Sequence, residues 1–206
     1  MILVIDNYDS FTYNLVNLIK QYDEVIIHPD DEVIIHHPDE APLDLEIDGL
    51  VISPGPGHPL DTNHLNKIIK AYHDVPILGI CLGAQALTCY YGGEVIVGEK
   101  VKHGKVDQID FVESSKLYQG CETGFNIMRY HSLISDEKSF PNCLKITGRT
   151  PDAIQSFEHQ INPHFGIQYH PESFASDNGD KIINTFVNIT KEGAQNEHIK
   201  TTHPIS

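Results

Sequence analysis

The sequence predicts an α/β fold: a mostly parallel open sheet flanked by helices, with a smaller antiparallel β portion in the C-terminal half. Three observations carry this. Up to Gly93, apolar runs of strand length alternate with stretches of helical periodicity, the order that gives a parallel sheet covered on both faces. Beyond Gly93 the texture changes to short β-rich pieces separated by turn residues, several of them antiparallel. Within the first stretch lies Pro76-Ile77-Leu78-Gly79-Ile80-Cys81-Leu82-Gly83, an apolar run that meets a helical pattern at a cysteine flanked by glycines.

The elements follow in order. Residues 1–6 read as a buried strand, and Asn7-Tyr8-Asp9-Ser10 as a turn in which Asp9 or Ser10 caps a helix. That helix carries Phe11, Leu15, Leu18, Ile19 and Tyr22 at helical spacing. Residues 23–30 are nearly repeated by residues 31–39, a local duplication with the first copy a strand and the second a strand or loop. Residues 50–53 form a strand that runs into Pro54-Gly55-Pro56-Gly57-His58-Pro59, too dense in proline and glycine for helix or ladder. Residues 62–72 form an amphipathic helix, and residues 76–80 a buried strand. The helix after Cys81 runs to about Tyr91 and stops at Gly92-Gly93 by a left-handed termination. The later β pieces are residues 94–97, 105–112, 125–129, 144–147, 153–157 and 165–168, and residues 178–190 form a closing helix. Residues 1–190 thus make one domain, and residues 191–206 read as a polar, frayed tail.

Composition narrows the function classes. Lys plus Arg is 14 against 29 Asp plus Glu, a net charge of −15, and the only arginines are Arg129 and Arg149. Such a surface repels phosphate backbones, so no nucleic-acid partner is expected. No apolar run approaches a membrane span, and residues 1–5 meet Asp6 too soon for a signal peptide, so no membrane association is expected. The cysteines Cys81, Cys89, Cys121 and Cys143 form no C-x-x-C pair, which suits a reduced, cytoplasmic protein. Thirteen histidines include no H-x-x-x-H, so no metal site is expected.

The chemistry centres on Cys81. A side chain at a strand-to-helix bend is exposed at the carboxyl edge of the sheet, with free helix N–H groups behind it that favour a thiolate. The plainer reading is a small buried core thiol. A thiol nucleophile needs a base, and the base an orienting group. Gln168-Tyr169-His170-Pro171-Glu172-Ser173 offers both: His170 and Glu172, two apart, point the same way on extended backbone. Alone, the His-Pro-Glu run is an ordinary loop sequence.

These pieces occur together and in order with Asp6-Asn7-Tyr8-Asp9-Ser10-Phe11-Thr12-Tyr13-Asn14-Leu15, Ser53-Pro54-Gly55-Pro56-Gly57, Gly79-Ile80-Cys81-Leu82-Gly83-Ala84-Gln85, His103-Gly104-Lys105 and Arg129-Tyr130-His131-Ser132-Leu133. In them the chain resembles the class I, triad-type glutamine amidotransferases over about residues 1–190. Within that family it looks like the small subunits of anthranilate synthase or aminodeoxychorismate synthase. Residues 23–47 depart from the family pattern, away from every marker.

The resemblance implies a flavodoxin-like sheet and a glutaminase reaction. Cys81 would attack the side-chain amide of L-glutamine, with His170 as acid and base and Glu172 holding His170. Backbone N–H groups of Gly55 and Leu82 would meet the oxyanion. Gly55, Pro56, Gly57, Gln85, Ser132 and Leu133 would bind glutamine. Ammonia would pass to a large chorismate-binding synthase subunit in a hetero-oligomer, in the tryptophan pathway or, alternatively, the p-aminobenzoate (folate) pathway. No cofactor is expected in this chain, and magnesium is expected in the partner subunit. Plainer readings stand beside these roles: a solvated helix position for Gln85, a turn residue for Ser132, surface or interface positions for Arg129 and His131, and a β-turn or interface for His103-Gly104-Lys105. The exposed Tyr8 and Phe11 could meet a partner. Two other classes compete, a stand-alone γ-glutamyl cysteine hydrolase and a non-catalytic regulatory subunit.

Overall fold

The computed structural model describes residues 1–22 and 33–202. In chain order the elements are β1 (Ile2–Ile5), α1 (Thr12–Gln21), β2 (Val33–His36), β3 (Gly49–Ile52), α2 (His64–Ala71), β4 (Ile77–Ile80), α3 (Leu82–Tyr90), β5 (Val95–Gln108), β6 (Asp110–Phe111), β7 (Asn126–Ser135), β8 (Leu144–Thr150), β9 (Ala153–His159), β10 (His164–Ile167) and α4 (Gly179–Thr202). Among the described residues the main sheet has the order β2-β1-β3-β4-β10-β9-β8-β6, and β5 pairs with β7 in a separate ribbon. The pairs from β2 across to β10 are parallel, and β10-β9, β9-β8 and β8-β6 are antiparallel. The expected α/β architecture is thus present, with most of the antiparallel portion continuing the same sheet.

Alternation within each strand sorts the core into two layers. Ile2, Val4, Val51, Leu78 and Ile80 face one side, where Leu15, Val16 and Ile19 of α1 and Ile182, Ile183 and Phe186 of α4 cover them. Leu3, Ile5, Leu50, Ile52 and Ile77 face the other, under Leu65, Ile68 and Ile69 of α2 and Leu82, Ala86 and Leu87 of α3. The near-continuous apolar runs of β1, β3 and β4 are the mark of strands buried on both faces.

Several expectations change in detail. The first copy of the near-repeat lies outside the described residues; the second contributes β2, parallel to β1. Neither Asp9 nor Ser10 caps α1: Phe11 stands at the N-cap, and the Asp9 carboxylate instead accepts from the Phe11 N–H. The first helix is held from behind by Asp6, which accepts from Thr12 Oγ1 and the Asp9 N–H. His103-Gly104-Lys105 is a bulge inside β5, not a turn: Gly104 takes φ +66°, so the register against β7 shifts while the strand goes on. The piece at 105–112 divides at Ile109, which pairs with Phe125 and Gly124 and buries its side chain as the chain crosses to β6. At Gly92-Gly93 the expected termination is present, with Gly92 at φ +92°, its N–H bonded to Cys89 O and that of Gly93 to Thr88 O. The closing helix does not stop at Thr190: α4 runs to Thr202, through twelve of the residues read as tail. Lys191, Glu192, Ala194, Gln195, Glu197 and Lys200 are good helix formers, and no proline intervenes before Pro204.

Candidate functional site

Cys81 stands between β4 and α3 with φ 52° and ψ −103°, a conformation rare for a non-glycine residue that costs on the order of 1–3 kcal/mol. Neighbours impose it. The Cys81 N–H donates to Ile167 O of β10 at 2.7 Å, and its carbonyl accepts the Gln85 N–H at 3.1 Å. A Cβ on Gly79 would collide with the Gly83 backbone, and one on Gly83 with Ile52 O. With both residues reduced to backbone, α3 starts directly against the sheet, and Cys81 takes the bend.

His170 and Glu172 come from the turn after β10, the strand beside β4. Tyr169 points into the core, where its hydroxyl meets that of Tyr118 at 3.2 Å. Alternation then turns Gln168 and His170 to the opposite face, toward Cys81. His170 Nδ1 lies 2.7 Å from Glu172 Oε1, with both side chains almost wholly buried. The turn is tied to β7: the His170 N–H donates to Met128 O, Ser176 Oγ–H to His170 O, and the Met128 N–H to Ser176 Oγ. The start of α4 presses on the same turn, since a Cβ on Gly179 would overlap Pro171 O. Phe11 and Tyr130 set their rings 5.9 and 5.3 Å from the imidazole and wall it from solvent.

Burial works against the imidazolium, but the Cys81 sulfur and the Glu172 carboxylate outweigh it and raise His170 to about 10. His170 Nε2 is buried without a hydrogen-bond partner among the described residues. The site therefore joins a sulfur, an imidazole and an orienting carboxylate, all three buried.

Gly55 adjoins α3, the helix that follows Cys81: a Cβ there would press on Asn7 and on Leu82 Cδ2. Its loop is braced by Asn7, whose side-chain amide donates to Ser53 O at 2.8 Å and whose N–H donates to Ser53 Oγ at 2.9 Å. Pro56 and Gly57 lie at the exposed end of that loop, with Gly57 at φ +83°. Leu82 opens α3, where helix N–H groups lack an i−4 partner. Gln85 is buried, not solvated, and Ser132 is an exposed position in β7, not a turn residue. Gln85 Nε2 donates to Leu133 O at 3.0 Å and to Gln168 Oε1 at 3.1 Å. Nor is Arg129 on the surface. It is fully buried, with Nη1 bonded to Asp107 at 2.6 Å and to Asp152 at 2.9 Å. His131 is buried beside it and lowered to about 4 by burial and the Arg129 charge. Asn7 and Gln168 stood in quoted motifs without an assigned role, and the Asp107–Asp152 pair was not singled out from sequence.

No described helix is long and apolar enough to cross a membrane, and no metal-holding cluster of His, Cys, Asp and Glu occurs among the described residues.

The family model described as "Glutamine amidotransferase class-I" matches residues 3–189. The chain is 38% identical over 189 residues to the "Anthranilate synthase component II" of Haloarcula marismortui, covering 90% of this chain and 96% of that one. It is 38% identical over 194 residues to the "Anthranilate synthase component 2" of Azospirillum brasilense, covering 93% and 97%. A solved glutamine amidotransferase from Thermotoga maritima shares the fold, with a TM-score of 0.71 at 16% identity over 96% of this chain and 85% of that one. By the family match over most of its length and by these relatives, the chain belongs to the class-I glutamine amidotransferase family.

Proposed function

We propose that this chain is the glutaminase subunit of an anthranilate synthase. It hydrolyses L-glutamine and hands ammonia to a large synthase subunit that aminates chorismate in tryptophan biosynthesis. The observation that carries the reading is the convergence of Cys81, His170 and Glu172 at the ends of the adjacent strands β4 and β10, in a chain whose relatives over most of its length bear that name.

Cys81 Sγ attacks the side-chain amide carbon, and the electron pair moves to oxygen. Backbone N–H groups of Gly55 and Leu82 stabilise that oxyanion, each worth about 3–4 kcal/mol in comparable sites. His170 gives its proton to the leaving nitrogen, releasing ammonia and a γ-glutamyl thioester. It then takes a proton from water, which attacks the thioester and frees glutamate and the thiol. Glu172 holds the imidazole in one tautomer throughout. A positioned acid–base group of this kind contributes roughly 10²–10⁴-fold. Gly55, Pro56, Gly57, Ser132 and Leu133 bind the glutamine chain. Both N–H groups of Gln85 Nε2 are already engaged, so Gln85 contributes its oxygen, an acceptor suited to the substrate ammonium. The thiol supplies the nucleophile without a metal in this chain, and the magnesium of the chorismate step belongs to the partner. A reducing cytoplasm suits a reaction that depends on a free thiol.

Replacement of Cys81 tests the reading. In Cys81→Ser, reconstituted with the synthase subunit, glutamine-dependent anthranilate formation is expected to vanish while formation from added ammonium persists. Equal loss of both overturns it. Full glutaminase activity on γ-glutamyl peptides with no synthase partner would instead favour a stand-alone hydrolase, and p-aminobenzoate precursor as the product would assign the folate pathway.

A further inference from the structure

A chain of hydrogen bonds runs from the buried Arg129 to the nucleophile, and its direction is set at every step. Arg129 Nε donates to His131 Nε2 at 3.1 Å. A guanidinium only donates, so the His131 proton is on Nδ1, which lies 3.0 Å from Leu133 O. That carbonyl only accepts, so the Gln85 amide must turn Nε2 toward it, at 3.0 Å. The same Nε2 meets Gln168 at 3.1 Å and requires Oε1 there. Gln168 is left with one orientation, its Nε2 toward Cys81 Sγ at 3.6 Å, within the range of a donor to sulfur. Gln85 and Gln168 are both buried, so water does not compete for these groups.

We propose that Gln168 is a positioning residue that holds the Cys81 sulfur by an N–H donor, and that Gln85 sets the orientation of its amide. The proposal rests on Cys81 as the nucleophile and deepens that reading. A donor to sulfur favours the charged, attacking form and keeps the side chain in the rotamer that faces His170. Gln85 thereby has two tasks, its nitrogen serving the relay and its oxygen the substrate.

The test separates packing from hydrogen bonding. Gln168→Met keeps length and volume and removes the donor, whereas Gln168→Ala removes both. Inactivation of the full chain by 6-diazo-5-oxo-L-norleucine, an electrophilic glutamine analogue, yields a half-saturating concentration and a first-order rate of Cys81 capture. Gln168→Met is expected to slow capture about tenfold and leave the half-saturating concentration within about twofold. With iodoacetamide, which needs no glutamine site, Gln85→Met is expected to slow Cys81 alkylation too, and the double variant to be no slower than Gln168→Met. Capture at the wild-type rate in Gln168→Met overturns the proposal. So does recovery in Gln168→Met of what Gln168→Ala loses, or a loss confined to the half-saturating concentration. Should Gln168→Met fail to fold by circular dichroism, an unchanged alkylation rate in Gln85→Met overturns it alone. A wild-type Cys81 that neither reagent modifies would overturn the nucleophile assignment as well.

Discussion

The imidazole of His170 shows how neighbours reverse the effect of burial. Desolvation alone would lower its pKa, yet Cys81 and Glu172 lift it to about 10. The stability consequence follows from linkage. A group raised above its unfolded value of about 6.5 contributes fully below that pH and loses its contribution as pH rises through the folded value. The difference in thermal midpoint between the wild type and His170→Gln should therefore narrow as pH is raised from 7 to 10. Glu172→Gln keeps the shape and removes the charge, and should lower glutamine hydrolysis at pH 7 roughly 10²-fold or more in steady-state assays. Ammonium-dependent synthesis should be untouched. At this scale Cys81, His170 and Glu172 were legible because each stands in a short motif, the first at a strand-to-helix bend and the other two in one His-Pro-Glu run. Arg129 was not: its counter-ions Asp107 and Asp152 lie 22 and 23 positions away, one on the bulged β5 and the other in the turn between β8 and β9, and only the fold brings them together.

At the scale of elements, the junction of β4 and α3 inverts an ordinary expectation. Glycine inside a helix usually costs up to about 1 kcal/mol against alanine. Gly83→Ala should nevertheless destabilise the protein by about 1–3 kcal/mol, because the added methyl meets Ile52 O and forces α3 away from the sheet. Urea unfolding measures the sign, and a parallel fall in Cys81 reactivity would show that the bend had moved. The strands of this junction, β1, β3 and β4, were readable because burial on both faces leaves an unbroken apolar run. The long β5 was not. Val97, Val101 and Val106 are exposed, and Gly98 and Gly104 look like stops. In the folded chain Gly104 is a bulge whose partner strand β7 keeps the ladder going. The extent of α4 was missed for a related reason. Its last turns lack the strong apolar stripe that periodicity needs, although their residues favour helix.

For the molecule as a whole, acid sensitivity is written in two buried histidines, one of them at the sheet end opposite the thiol. His164, at the start of β10, is buried between the Tyr91 hydroxyl and His73 O, and burial lowers it to about 4. A group depressed in this way contributes stability above about 6.5 and loses it as pH falls toward the folded value. His131 acts in the same direction. Stability should fall between pH 6.5 and 4 by at most about 1.4 kcal/mol per pH unit for each group. His164→Gln should make that slope shallower in denaturant titrations. At the other end, β4 and β10 are parallel neighbours with Gly79 opposite Gly166 and Ile80 opposite Ile167. One inter-strand step of about 4.8 Å thus brings together residues 81 and 170. The eighty-odd residues between those strands form a detour whose contour length does not enter the spacing of sulfur and ring. Its outer tips, such as the turn at Glu137-Lys138 or at Gln160-Ile161, are places where the chain tolerates lengthening without retuning the reaction, since the gap is gauged by adjacent strands.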